Sequence, residues 1–293
     1  MKWSVPAKTF LLGEYAAIAG ASAILLTTNP CFELELTATE SLLGIHPDSP
    51  AGLWWQQQRC QGKGLSWHDP YGGRGGLGAS SAQFLASYLA SCHLQGINAE
   101  IDNMLQAYYQ SSWAGIGFRP SGYDVIAQSQ HGCVYINKQQ KRMQIYDWPF
   151  KEVSFFLIHT GVKLATHHHL QDTDLPKPID ELSALVDTAQ QAFEHTDSKS
   201  LICSVNSYHE KLAELRLVAE HSMQLINHFK KYPEVLAVKG CGALGADILL
   251  LLCSPENTSS LHNKLLNEQR IVVATEKTLH KAIAPLISSS IIC

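Results

Sequence analysis

A glycine-rich stretch followed by hydroxyl residues has the clearest chemical meaning in this sequence. Residues 71–90 read YGGRGGLGASSAQFLASYLA, in which five glycines precede Ser80, Ser81 and a run of apolar residues at helical spacing. Glycines let a backbone approach an anion closely, and the first turn of a helix offers unpaired N–H groups and a positive dipole end. The stretch therefore predicts a phosphate site, in which the two serines cap the helix or reach a phosphate-bound magnesium ion.

The common nucleotide-binding motifs do not account for this stretch. No Gly-Lys-Ser/Thr follows the glycines as a Walker A loop requires, and the sequence predicts no strand directly before them, as a dinucleotide-binding arrangement requires. Taken alone, glycines before a helix are equally compatible with an ordinary turn. The interpretation therefore depends on the rest of the chain.

Three stretches together resemble the motifs of the GHMP kinases, and of their mevalonate-pathway branch in particular. PAKTFLLGEYAAIAG at 6–20 is similar to the first motif of that family, GGLGASSA at 75–82 to the second, and VKGCGALGAD at 238–247 to the third. They occur in the order of the family and span nearly the whole chain. The resemblance implies a two-domain α+β fold, with an N-terminal domain like ribosomal protein S5 domain 2 over 1–150 and a ferredoxin-like domain over 151–293.

The same resemblance implies a site between the two domains that binds ATP, Mg²⁺ and an acceptor. Lys8 would neutralise charge beside the γ-phosphate, and Asp124 in RPSGYDVIAQ would act as the general base. Composition alone would instead favour a solvated lysine and an aspartate in a β-turn. The expected ATP ligands are Gly75, Gly76, Leu77, Gly78, Ala79, Ser80, Ser81, Gly242 and Gly245. The expected acceptor ligands are Glu14, Tyr15, Ser121, Gly122 and Thr166, and the expected metal ligand is Ser80.

Two departures from the family pattern bear on activity. Residues 108–119 contain no acid, whereas mevalonate kinases carry a glutamate there that binds magnesium, so metal binding would rely on serine hydroxyls, water and phosphate oxygens. The third motif has Leu244 and Ala246 where glycines are common, and Lys239 within it is expected to face solvent.

The resemblance favours phosphomevalonate as the acceptor. GEY in the first motif and Asp247 at the end of the third favour it, whereas TGVK at 160–163 favours mevalonate. A phosphorylated acceptor also requires cations, which could come from Arg119, His159, Lys163 and the histidines at 167–169. Mevalonate kinase and a catalytically silent metabolite-binding protein of the same fold are the alternatives.

Hydrophobic periodicity predicts the elements that position these residues. Helical spacing predicts helices at 80–96, 98–111, 178–194 and 199–228, and GCVYIN, MQIYDW, VSFFLIHT and ADILLLLC predict strands. Residues 44–75, with three tryptophans, predict a long loop between elements. Trp54 and Trp55 in this loop are expected to bury a local apolar patch rather than to stack on adenine.

Charge and composition narrow the expected partners and compartment. The net charge is −4, and no run of Lys and Arg exceeds two residues, which argues against nucleic acid and acidic membranes as partners. No stretch reaches the roughly 18 apolar residues of a membrane span. Eight scattered cysteines without a CxxC pair, and a first segment without an apolar signal core, predict a cytoplasmic protein. We therefore expect a monomer or homodimer that binds ATP and a small-molecule acceptor.

Overall fold

The structure is a computed structural model that describes residues 1–58, 60, 62–162 and 179–288. Within this part of the chain the strands form two sheets. The first sheet holds β1 Lys2–Leu12, β2 Ala23–Thr37, β3 Leu42–Leu43, β4 Gly64–His68, β5 Cys133–Asn137 and β6 Arg142–Tyr146. The second sheet holds β7 Ser154–His159, β8 Val235–Cys241, β9 Ile248–Cys253 and β10 Ile271–Thr275. The α-helices are α1 Pro50–Gln57, α2 Ala79–Gln95, α3 Ile101–Ser112, α4 Tyr123–Gln128, α5 Ile179–His195, α6 Ser198–Glu214, α7 Glu220–Phe229 and α8 Thr258–Asn267.

Strand β2 organises the first sheet. It pairs antiparallel with β1 along one edge and with β5 and β4 along the other. The turn after β1 begins at Gly13, whose φ of 100° lies in the left-handed region. A Cβ at this position would lie 2.5 Å from the backbone of Ala23, so only glycine fits. This turn places Glu14 and Tyr15 at the end of the strand that carries Lys8.

The second sheet is antiparallel throughout, in the order β10, β7, β9, β8. Alternate residues of its inner strand β9 face opposite sides, and both sides are buried. Leu250 and Leu252 belong to the apolar core that also fills the first sheet, whereas Leu249 and Leu251 pack with α7 and α8. One apolar core therefore continues from the first sheet into the second.

The chain passes from the first sheet to the second between Tyr146 and Ser154. The predicted domain boundary at residue 150 falls within this connection and stays a prediction. The last described residues return to the first half, where the Gly132 amide donates to the carbonyl of His280.

Most elements agree with the sequence predictions. The α+β class is confirmed, with α2 and α3 close to their predicted bounds and β5, β6, β7 and β9 at the predicted strand segments. None of the described helices is long and apolar enough to cross a membrane.

The prediction of a long loop over 44–75 was wrong, because this region contains α1 and β4. The signals for α1 are present in the sequence: the Ser49 side chain accepts a hydrogen bond from the Gly52 amide at 3.2 Å, and Pro50 occupies the first helical position. The predicted role of the tryptophans is confirmed. The Trp54 ring packs 5.6 Å from the ring of Tyr88, and Trp55 is buried.

The prediction of one helix over 199–228 was also wrong, because the chain turns between α6 and α7. Arg216 has a φ of 57°, and its amide donates to the carbonyl of Ala213 while the Leu217 amide donates to that of Leu212. This pattern ends many helices and is usually marked by a glycine at the left-handed position. An arginine stands there instead, so the sequence carries no visible stop signal.

Candidate active site

Lys8 is a buried residue of β1 that contacts both other parts of the candidate site. Its amide donates to the carbonyl of Leu77 at 3.0 Å, which ties the strand to the glycine-rich loop. Its side chain is 9% exposed, and its Nζ lies 2.7 Å from Oδ1 of Asp124. The structure therefore brings the two predicted catalytic residues together and rules out a solvated lysine at position 8.

Asp124 lies in the first turn of α4, two residues after the glycine that caps the helix. Gly122 has a φ of 77°, and a Cβ there would lie 2.6 Å from the Leu105 side chain and 2.8 Å from the Tyr109 hydroxyl. The Asp124 side chain is 33% exposed, and the Oδ1 atom that contacts Lys8 is itself buried. This is a helical position with a charged partner, and the β-turn expected from composition alone does not form.

Gln128, whose role was not predicted from the sequence, connects this helix to the glycine-rich loop. Its side-chain amide donates to the carbonyls of Pro6 at 2.9 Å and Gly78 at 3.1 Å, and its Oε1 accepts the Ser81 hydroxyl at 2.6 Å. Residues four apart lie on the same face of a helix, so the spacing from Asp124 to Gln128 was the signal that could have found it.

The glycine-rich loop has the properties of an anion site. The Asp69 carboxylate accepts the amides of Tyr71 and Gly73 and so fixes the start of the loop. Among the described residues, none accepts a hydrogen bond from the amides of residues 75–78. The next three amides, at residues 79–81, are the first N–H groups of α2 and have no partner within the helix. A row of free donors therefore runs along the loop into the helix.

Protein atoms occupy part of the space that the glycines leave open. A Cβ on Gly75 would lie 2.7 Å from the Asp247 carboxylate, and one on Gly76 would lie 2.6 Å from the side chain of Ile248. A Cβ on Gly78 would lie 2.8 Å from Cε of Lys8. The glycine pattern therefore serves the packing of the two halves as well as the approach of an anion.

The two serines after the loop differ in what they can do. The residue that caps α2 is Gly78, in the left-handed conformation, so the prediction of a serine cap was wrong. Ser81 is buried, and its hydroxyl donates to Oε1 of Gln128 at 2.6 Å and also lies 3.0 Å from the Gly78 carbonyl. Ser80 is exposed, and its hydroxyl has no hydrogen-bond partner in the described part of the chain. Only Ser80 therefore has a hydroxyl open to a metal ion.

The loop of the third motif is fixed by residues from other elements. Leu244 has a φ of 58°, its amide donates to the Tyr15 hydroxyl at 3.0 Å, and its carbonyl accepts the Ala219 amide at 2.9 Å. A Cβ on Gly245 would lie 2.6 Å from the Gly240 backbone. A Cβ on Gly242, in contrast, would meet nothing within 4 Å, so this glycine faces open space among the described residues.

No family model and no curated protein matches the sequence, but solved structures match nearly the whole chain. The mevalonate kinase of Methanococcus jannaschii is 15% identical with a TM-score of 0.74, over 96% of this chain and 98% of that one. The phosphomevalonate kinase of Streptococcus pneumoniae, in complex with phosphomevalonate and AMPPNP, is 15% identical with a TM-score of 0.77, over 94% and 99%. The fold is that of the GHMP kinases. The galactokinase of Lactococcus lactis, complexed with galactose, shares it at 11% identity and a TM-score of 0.71, over 92% of each chain.

The three motifs meet at one place in this GHMP kinase fold. Lys8 of the first motif contacts Gly78 of the second, and the second motif lies against Asp247 at the end of the third. The order in the sequence therefore corresponds to a single cluster in space.

Glu14 and Lys239 form a second ion pair inside the GHMP kinase fold. Their charged atoms lie 2.9 Å apart, and their side chains are 1% and 0% exposed. Burial raises the pKa of Glu14, which the attraction of Lys239 opposes. The prediction that Lys239 faces solvent was wrong, because β8 is covered on both sides and Glu14 supplies the charge that makes a buried lysine tolerable.

The acceptor residues predicted from the resemblance are distributed over several places. Glu14 and Tyr15 are held in the interior by the third motif, so direct contact with an acceptor stays a prediction. The carbonyl of Ser121 accepts the side chains of Tyr109 and Lys138. Thr166 lies outside the described residues, as do Lys163 and the histidines at 167–169.

Proposed function

We propose that this chain is an ATP-dependent phosphotransferase that transfers the γ-phosphoryl group of ATP to phosphomevalonate. The observation that carries the proposal is the contact of 2.7 Å between Lys8 and Asp124, formed beside the free amides of the glycine-rich loop. Phosphoryl transfer depends mainly on positioning and on charge stabilisation, which a lysine, a carboxylate and a row of amides supply.

The residues divide the work as follows. The amides from Gly75 into α2 would bind the phosphate oxygens of the nucleotide, because they are unpaired and lie at the positive end of a helix. The Lys8 ammonium would offset the charge on the transferred group. A hydroxyl acceptor gives its proton to Asp124 as its oxygen bonds to phosphorus, while the bond between that phosphorus and the ADP oxygen breaks.

A phosphate acceptor does not require Asp124 to accept a proton at neutral pH. The second pKa of a phosphate monoester is about 6, so the attacking oxygen has already lost its proton at neutral pH. With phosphomevalonate the Asp124 carboxylate would then mainly hold the Lys8 ammonium in place. The size of the Asp124 effect therefore differs between the two candidate acceptors.

Magnesium would bind through the nucleotide rather than through a site made by the protein alone. Among the described residues, no three His, Cys, Asp or Glu side chains lie close enough to hold a metal ion. The exposed Ser80 hydroxyl fits as a single ligand, since Mg²⁺ keeps several waters and takes phosphate oxygens as ligands. When bound, the ion would neutralise charge on the phosphates.

The choice of acceptor rests on motif details and on the structural relatives. GEY and Asp247 support phosphomevalonate, and the S. pneumoniae phosphomevalonate kinase has the same fold. The alternative is mevalonate, which TGVK and the M. jannaschii mevalonate kinase support.

A coupled assay of ADP release tests the proposal. The purified chain, with ATP and Mg²⁺, is offered phosphomevalonate, mevalonate, homoserine and galactose in parallel. We expect turnover with phosphomevalonate above that with mevalonate, and none with galactose. ADP release that no acceptor stimulates would contradict the proposed function.

A further inference from the structure

A cavity lined by the segment that precedes the candidate base in the chain contains two cations. It has a volume of about 400 Å³ and lies between the turn at 18–20, the segment at 118–121 and the β5–β6 hairpin. Arg119 and Lys138 line it, together with Ser121, and none of the described residues that line it is acidic. Its chemistry is therefore that of an anion site.

The Lys138 ammonium is held in place by neutral groups only. It donates to the Tyr109 hydroxyl at 2.8 Å and to the Ser121 carbonyl at 2.6 Å, and its Nζ lies 5.4 Å from the centre of the Tyr123 ring. The Arg119 guanidinium lies 4.4 Å from the centre of the Tyr109 ring. None of the ion pairs between described residues includes either cation.

Two cations without a counter-charge are unfavourable in the absence of an anion. Burial, reinforced by the charge of Arg119, lowers the pKa of Lys138 to about 8. An anion between the two side chains would offset the desolvation of the ammonium and give it a charge-assisted hydrogen bond. The arrangement is therefore prepared for a ligand that the described protein does not itself supply.

The position of the cavity relates it to the reacting atoms. Ser121 lines the cavity and lies three residues before Asp124, with Gly122 between them at the start of α4. Three residues of chain span at most about 11 Å. A short-chain acid with a reacting oxygen at its far end can therefore reach from the cavity toward Asp124.

We propose that Arg119 and Lys138 bind the carboxylate of the acceptor, at the end opposite the oxygen that receives the phosphoryl group. This inference rests on the proposed function and names the chemical class of its acceptor. In mevalonate the carboxylate is the only anion, and in phosphomevalonate it is the anion that does not react. A neutral sugar has no group that matches two cations.

The test compares acids with a neutral acceptor of the same shape. Mevalonate and phosphomevalonate carry the carboxylate, whereas 3-methylpentane-1,3,5-triol keeps the hydroxyls of mevalonate and replaces the carboxylate with an alcohol. The variants are Lys138→Gln, Lys138→Arg and Arg119→Gln. The matched control is Lys141→Gln, an exposed lysine of the same hairpin. Calorimetric binding of each probe is measured beside the steady-state KM and kcat.

We expect Lys138→Gln and Arg119→Gln to weaken the binding of the two acids by about 10- to 100-fold, the effect of losing one hydrogen bond to a charged group. Binding of the triol should not change in these variants, and Lys141→Gln should match the wild type with every probe. Because the Arg119 side chain is exposed, its variant keeps the test decisive if Lys138→Gln folds poorly.

The pH dependence of mevalonate binding distinguishes the effect of the Lys138 charge from a purely structural role of its side chain. The groups that face the Lys138 side chain are Arg119, Tyr109 and Tyr123, and burial raises the pKa of both tyrosines, so neither ionises between pH 7 and 9. Wild-type affinity for mevalonate should fall about tenfold from pH 7 to 9 as Lys138 loses its proton. Lys138→Arg should keep the affinity and remove this dependence, because arginine stays charged.

The outcomes distinguish this inference from the proposed function. Turnover that persists with unchanged KM in Lys138→Gln and Arg119→Gln would overturn the subsite and leave the kinase activity standing. Absence of turnover, with mevalonate binding that the two variants weaken, would overturn the activity and leave the subsite standing. Three results would overturn the assignment to a carboxylate. The wild type could bind mevalonate and the triol with equal affinity, or it could bind neither acid. The third result is that the variants affect the binding of phosphomevalonate alone.

Discussion

Two of the lysine–carboxylate pairs in the described part of the chain, both formed by residues of the three motifs or of the segment with Asp124, have almost the same geometry and very different surroundings. Lys8 and Asp124 lie 2.7 Å apart with side chains 9% and 33% exposed, whereas Lys239 and Glu14 lie 2.9 Å apart with side chains 0% and 1% exposed. Each lysine lies on a strand and reaches a carboxylate outside its own sheet. Distance alone therefore does not separate a chemical pair from a structural one.

Access and surroundings do separate the two pairs. The Asp124 side chain is partly exposed, and its partner Lys8 is hydrogen-bonded to the glycine-rich loop, so a ligand can reach this pair. Glu14 is enclosed, and its neighbour Tyr15 holds the loop of the third motif through Leu244. We infer that the first pair takes part in the reaction and that the second pair fixes the first motif to the third.

Asp124→Asn should have the largest effect on the rate. With mevalonate we expect kcat to fall by roughly 10²- to 10⁴-fold, because the amide cannot accept the proton of the hydroxyl. With phosphomevalonate the loss should be smaller above pH of about 6, where the attacking phosphate has no proton to give. The measurement is kcat in the coupled assay with both acceptors. Asp48→Asn, at an exposed carboxylate, is the control, and a fully active Asp124→Asn would exclude the residue as base.

Lys239→Met should have the largest effect on stability. Removing one partner of a buried ion pair leaves the other charge uncompensated, at a cost of about 3–5 kcal/mol in the free energy of unfolding. The double variant Glu14→Met with Lys239→Met should recover most of this loss, because neither charge is then buried. Chemical denaturation of the single variant, the double variant and Lys8→Met gives the free energies of unfolding that are compared. An equal loss in the single and double variants would show that the two charges are not coupled.

His209, which is buried near Lys239, should make stability depend on pH. Burial, with the charges of Lys230 and Lys239, lowers the pKa of His209 to about 4 in the folded chain. The unfolded chain takes up this proton first, near pH 6.5, so stability falls as the pH is lowered from about 6.5 to about 4. The loss due to this residue is on the order of 3 kcal/mol. His209→Gln should remove that part of the acid dependence of the unfolding free energy, and an unchanged dependence would contradict it.

Gln128→Ala should have a smaller effect that appears in both stability and nucleotide binding. The substitution removes the side-chain donor of the Pro6 carbonyl and one of the donors of the Gly78 carbonyl, at a cost of about 1–3 kcal/mol. The glycine-rich loop is then less firmly placed, so the affinity for AMPPNP should fall as well. Gln139→Ala removes an exposed amide that also donates to a carbonyl and is the matched control. Equal AMPPNP affinities in the two variants would show that Gln128 does not position the loop.

The sequence predicted the parts of the site that lie in motifs, but it did not predict what those parts contact. Lys8, Asp124 and the glycine-rich loop were all identified, and they come together in the structure. The exposure of Lys239 was predicted wrongly, because a lysine in a short apolar strand is expected to face solvent. Its buried partner lies 225 positions away in the sequence. Gln128 and Lys138 were missed because their roles consist of contacts with distant backbone and ring atoms.

The fold shows the same division between local and distant information. The start of α1 was readable from Ser49 and Pro50, since both signals are local. The break between α6 and α7 was not readable, because Arg216 adopts a conformation that usually calls for glycine and Leu217 packs into the core. Elements defined by periodicity were predictable, and those defined by tertiary packing were not.

The rate of phosphoryl transfer from ATP in a single turnover compares the two ion pairs most directly. It is measured in Lys8→Met and in the double variant Glu14→Met with Lys239→Met. Each protein concentration is corrected for the folded fraction. We expect Lys8→Met to be about 10²- to 10³-fold slower than the wild type, the loss of one preorganised charge at the reacting group. The double variant should transfer at the wild-type rate. A fast Lys8→Met, or a folded double variant as slow as Lys8→Met, would contradict the division of the two pairs into chemistry and structure.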